Sequence, residues 1–154
     1  MKKLILTVIF GLFYGSSVFA HDEGHGPKLA DSGRYGGTVS PIVNLRDASK
    51  GTKAELVYKA EMVRSNDGKI RVYLYDSSMN TFDLAGFNKK AKGVLRAEIK
   101  GKFKKEEFEV TLEGHSFVGT HPKPPAKPFD LDFHFTQEMN GKARTLLTAF
   151  DNQD

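Results

Sequence analysis

Residues 129–137 read FDLDFHFTQ, and their alternation is the strongest constraint on how this chain can fold. Phe129, Leu131, Phe133 and Phe135 are separated one by one by Asp130, Asp132, His134 and Thr136. Only an extended strand sends successive side chains to opposite faces, so the pattern predicts a strand with one apolar and one polar side. Each of the four apolar side chains contributes about 1.5–3 kcal/mol when buried. This strand should anchor the core.

The same period recurs along the chain. In LVYKAEMV (56–63), Leu56, Tyr58, Ala60 and Met62 share a face while Lys59 and Glu61 point the other way. KIRVYLYD (69–76) sets Ile70, Val72 and Leu74 against Tyr73 and Tyr75, and Ser65-Asn66-Asp67-Gly68 between the two runs is a hairpin signal. GVLRAEIK (93–100) and FKKEEFEVTLEG (103–114) flank Gly101-Lys102, and Asn140-Gly141 turns the chain into KARTLLTAF (142–150). TVSPIVN (38–44) and HSFVG (115–119) bring the count to about seven or eight strands. Pro41 suits a sheet edge, and the proline-rich THPKPPAKP (120–128) reads as an extended surface loop. The prediction is an all-β, antiparallel, immunoglobulin-like β-sandwich over residues 38–150, with a short tail at 151–154.

The N-terminus has a different character. Lys2 and Lys3 precede an apolar run from Leu4 to Tyr14, and Val18-Phe19-Ala20 offers a cleavage site. This is the pattern of a secretory signal peptide over residues 1–20, cut after Ala20. The run is shorter than the roughly 20 apolar residues of a membrane span, so no transmembrane segment is expected after cleavage. A periplasmic or secreted protein of a bacterium is implied. Cleavage also removes two of the lysines behind the formal net charge of +4, so charge does not argue for a nucleic-acid partner. The chain has no cysteine, which rules out disulfides, thiolate metal sites and a lipidated cysteine. Residues 21–37 contain five glycines and few large apolar groups, and read as a flexible leader.

Taken in order, GRYGGTVSPIV, LVYKAEMV, KIRVYLYDSSMNTFDLAG, SFVGTHPKP, FDLDFHF and GKARTLLTAF resemble small periplasmic domains of heavy-metal efflux systems. Those domains occur alone or ahead of the periplasmic adaptor subunits of the pumps. The resemblance covers residues 33–150 and implies an immunoglobulin-like sandwich, a link to copper or zinc handling, and an efflux adaptor or other envelope protein as partner. Where that family often has a histidine before Gly-Gly, this chain has Tyr35.

Candidate ligands lie first in HDEGHGPKL (21–29). A cleaved His21 offers an α-amine and an imidazole, His25 a second imidazole, and Asp22 or Glu23 an oxygen. Such a set suits Cu(II) or Zn(II). A second set is Asp130, Asp132 and His134, which share one face of their strand. A third is His115 and His121, expected near one sheet end within reach of the leader. Met62 reads as core, and Met79 and Met139 are isolated, so a Cu(I) site is not indicated.

Enzyme signatures are missing. GHSFVG (114–119) has Val118 where a nucleophile elbow needs glycine, and no phosphate loop or His-Glu-x-x-His helix occurs. No organic cofactor is expected. Lys89-Lys90-Ala91-Lys92 and the lysines of 100–105 read as protection of sheet edges. The expected function is transition-metal binding or buffering tied to metal efflux, without catalysis. The rival is an envelope interaction or structural module with no ligand of its own.

Overall fold

Asn140 and Gly141 both adopt positive φ, 52° and 71°, as do Lys100 and Gly101 at 51° and 73°. Two such residues in succession match the right-handed twist of the flanking strands, so each pair closes a tight hairpin. The structure, a computed structural model, describes residues 25–154. Eight strands follow in order: β1 (Thr38–Asn44), β2 (Tyr58–Arg64), β3 (Lys69–Tyr75), β4 (Lys90–Ile99), β5 (Lys102–Glu113), β6 (Ser116–Thr120), β7 (Phe129–Met139) and β8 (Lys142–Gln153). All pairings are antiparallel, in agreement with the alternation of the sequence.

The sheet closes on itself. Its order is β1-β2-β3-β6-β5-β4-β7-β8, and β1 returns to β8 through Val43↔Leu147 and Asn44↔Leu146. The expected pair of facing sheets is therefore corrected to an eight-stranded barrel, because the first and last strands hydrogen-bond to each other. Pro41 lies on the part of β1 that pairs with β2 but not with β8. There the hydroxyl of Ser40 donates to Ala149 O at 2.5 Å and carries the seam where the backbone does not.

Inside, side chains fill the barrel, as eight strands allow. Phe117, Phe133, Phe135 and Phe150 are buried, with the rings of Phe117 and Phe135 4.8 Å apart. Phe108 crosses over Gly93 to meet Phe133 edge-on. Outside the wall, Val43 and Leu147 form a small second cluster with Ala48 and Ala54. A 3-10 segment, Leu45–Lys53, covers it.

Among the strand limits that differ from expectation, those of β4 and β8 shift most in meaning. β4 starts at Lys90 rather than at Gly93, because Ala91 is buried and Lys90 and Lys92 face outward to Glu109 and Glu107. The basic run thus belongs to a cross-strand ladder rather than to a bare edge. The expected tail is largely strand as well: β8 extends to Gln153, opposite Phe129, past an irregularity between Phe129 and Leu131. Among the described residues no helix is long and apolar enough to cross a membrane.

Candidate functional site

Glu61 has no solvent exposure, although its strand pattern points it away from the core. What covers it is the leader. The amides of Arg34, Tyr35 and Gly37 donate to the Glu61 carboxylate at 2.8, 2.7 and 2.9 Å. Tyr75 adds its hydroxyl at 2.9 Å. Burial pushes the Glu61 carboxyl up, but these four donors outweigh it and hold the group below its ordinary range. Burial, then the hydrogen bond to Glu61, raise the Tyr75 hydroxyl.

The rest of the contact fits around that clasp. Lys59, 7% exposed, pairs with Asp31 at 2.7 Å. Tyr35 stacks on Tyr73 with centroids 4.1 Å apart, and the Arg34 guanidinium lies over the Tyr75 ring. Gly37 is required by space, since a Cβ there would stand 2.4 Å from Met62 O. In the described part of the leader, Gly33 and Gly37 serve close approach to β2. Arg34, Tyr35 and Gly37 also answer why Tyr35 precedes Gly36-Gly37: its ring covers Tyr73.

Further back, the leader reaches the opposite side of β1. His25 sits with Nδ1 3.3 Å from Ala48 O, and Gly26 lies against Pro41 and Val43. His134 pairs with Leu147 and Leu147 with Val43, the residue Gly26 lies against. The leader and the β7 row, two separate candidates in the sequence, are neighbours on the barrel wall.

Asp130, Asp132 and His134 do share the outer face of β7, but each already has a local role. Asp132 pairs with Arg96 at 3.1 Å in a largely buried contact. Burial raises the Asp132 carboxyl despite Arg96. Asp130 accepts the Asn152 amide at 3.0 Å, across the end of β8. His134 is held below its ordinary value first by burial and then by Lys92. It lines an open groove of about 710 Å³ with Lys92, Glu107, Thr136, Thr145 and Leu45.

His115 and His121 are not brought together. They stand at opposite ends of β6 (Ser116–Thr120), roughly 15–20 Å apart by strand rise. The expected shared sheet end is corrected, because β6 runs the length between them. His115 borders a groove of about 250 Å³ with Lys89 and Asp83. His121 is buried beside Phe129, its Nδ1 2.7 Å from Pro122 O. Met62 is buried in the core as expected, at 2% exposure. His21, Asp22 and Glu23 lie outside the described residues, as does the signal peptide. Among the described residues no three His, Cys, Asp or Glu side chains converge on a metal position.

The chain matches no family model, and no curated protein or solved structure is found to be similar to it. Sequence reasoning missed Glu61 as a buried group. The available signal was the run Gly33-Arg34-Tyr35-Gly36-Gly37, since clustered glycines also mark close backbone approach.

Proposed function

We propose that this chain is a non-catalytic protein of the bacterial envelope that binds a transition-metal ion, Cu(II) or Zn(II), through the start of its leader. The observation that supports this reading is the Glu61 clasp. It tethers the leader to the barrel, so that His25 lies beside Ala48 on the barrel wall instead of on a trailing end. His25 contributes an imidazole, His21 an imidazole and the α-amine of a cleaved terminus, and Asp22 or Glu23 an oxygen. Nitrogen donors of this kind favour Cu(II) over Zn(II) on the usual affinity order. Burial holds the His134 imidazole below its ordinary range, which favours the neutral form that a ligand needs.

In this role the barrel is a rigid platform and the ion is cargo, buffered or handed to an efflux adaptor. The resemblance of residues 33–150 to efflux-associated domains agrees with it. The test is to purify the secreted protein, read its terminus by mass spectrometry, and titrate Cu(II) and Zn(II) against a competing chelator. Binding should fall at least tenfold in His25→Ala and vanish on removal of residues 21–25. Equal affinity in the truncated chain rules the reading out.

A second reading, an interaction module without a ligand, has its own observation: one stretch of β5 carries exposed backbone and Phe103 at 64% exposure. Capture of an envelope partner that persists in chelator would favour it.

A further inference from the structure

β5 has two unlike halves. Residues 110–113 pair with β6, whereas residues 102–109 pair only with β4 among the described strands. All of residues 102–109 except Phe108 are exposed. Backbone groups of an antiparallel strand face its two neighbours in alternation. Leu112 gives its N–H to Lys89, on the β4 side, so even-numbered residues of β5 face β4. The N–H and C=O groups of Phe103, Lys105 and Glu107 therefore face the open side.

We propose that this open edge is a homodimer interface, in which two copies of β5 pair antiparallel about a twofold axis at Lys105. The argument is charge order. Residues 102–109 read KFKKEEFE, with lysines confined to the first half and glutamates to the second. Parallel pairing sets like charges against each other, and antiparallel pairing sets the basic half against the acidic half. Because only odd-numbered residues offer groups on this edge, an odd residue must face an odd residue of the second copy. Centring on Lys105 then places Lys104 opposite the partner's Glu106, twice by symmetry.

Neither Lys104 nor Glu106 has an ion pair among the described residues, so both are available. Lys105 meets its own copy at the axis, the one like-charge contact of this register. A register centred on Glu106 would instead depend on Glu107, which Lys92 already holds at 3.2 Å. Centring on Lys105 makes about six new backbone hydrogen bonds and closes as an isologous dimer. Lysines on an edge ordinarily repel strange strands. Segregated by sign, they repel most strands and accept this one.

Sedimentation equilibrium of the mature chain, from micromolar to near-millimolar concentration, reads the dimer directly. A dimer that weakens with added salt is expected. Lys104→Glu should weaken it about tenfold, and Lys104→Glu/Glu106→Lys should restore it. Lys105→Pro removes an outward N–H and leaves the β4 pairing intact, so it should give a folded monomer, with folding checked by circular dichroism. A chain that stays monomeric throughout, a dimer indifferent to Lys105→Pro, or a double reversal that fails to restore association overturns the proposal.

Discussion

Tyr75 donates its hydroxyl to the Glu61 carboxylate at 2.9 Å although the β2–β3 register places Tyr73, not Tyr75, opposite Glu61. The contact is diagonal, between residues on one outer face of neighbouring strands. Both residues have no solvent exposure, because the leader lies over them. A diagonal donor from β3 and three amides from the leader thus converge on one carboxylate, and the outer wall acquires a second, polar core.

Removing that carboxylate should release the leader before the barrel. Glu61→Gln turns an acceptor-only group into one that places an NH2 among donors, and should cost about 2–3 kcal/mol. Tyr75→Phe, which deletes one donor of four, should cost about 1 kcal/mol. Urea unfolding measures both. Hydrogen exchange at the amides of Arg34, Tyr35 and Gly37 should accelerate in Glu61→Gln while the amides of β7 and β8 stay protected.

Stability should fall in two steps on acidification. His134 titrates lower in the folded chain than its ordinary 6.5, so the unfolded chain takes up its proton first and stability declines as pH drops below that value. Glu61 also titrates lower than its ordinary 4.5, so its contribution is present above 4.5 and lost as pH falls through the folded value. Asp132 acts in the opposite sense, since a raised carboxyl favours the folded state at acid pH. Unfolding midpoints of the wild type and of His134→Gln across this range check the assignment. The variant should lack the first decline and keep the second.

Gly93 holds open the place that Phe108 occupies. A Cβ at position 93 would stand 2.3 Å from the ring. Gly93→Ala should therefore cost about 1–3 kcal/mol, as overpacking does. In Gly93→Ala/Phe108→Leu the clash is relieved, so the double variant should be less destabilised than the two single effects added together. Thermal unfolding of the four chains completes the cycle.

Thr148 is fully buried, and its hydroxyl has no hydrogen-bond partner among the described residues. Valine has nearly the same shape and no hydroxyl to desolvate. Thr148→Val should stabilise the chain by about 1 kcal/mol, read as a higher urea midpoint with an unchanged slope. A loss of stability would mean that the hydroxyl is satisfied after all.

Much of the strand pattern was legible because it is local. FDLDFHFTQ becomes β7 with Phe129, Leu131, Phe133 and Phe135 buried, and Asn140-Gly141 becomes a turn whose two positive φ angles suit those residues. The candidate site was legible only in pieces. The shared face of Asp130, Asp132 and His134 follows from strand period, yet the pairing of Asp132 with Arg96 depends on which strand lies next to β7. That His25 comes near this row could not be read from spacing, since the leader first has to cross β1.

By itself, then, the amino-acid order determined where strands run, where they turn and which side of each is apolar, because side-chain alternation and turn geometry act within a few residues. Tertiary structure alone decided that β1 meets β8, and that the polar side of β2 is buried under the leader. The reason is physical. A glutamate in an alternating strand looks solvated until donors from 24 to 27 residues away replace the water around it.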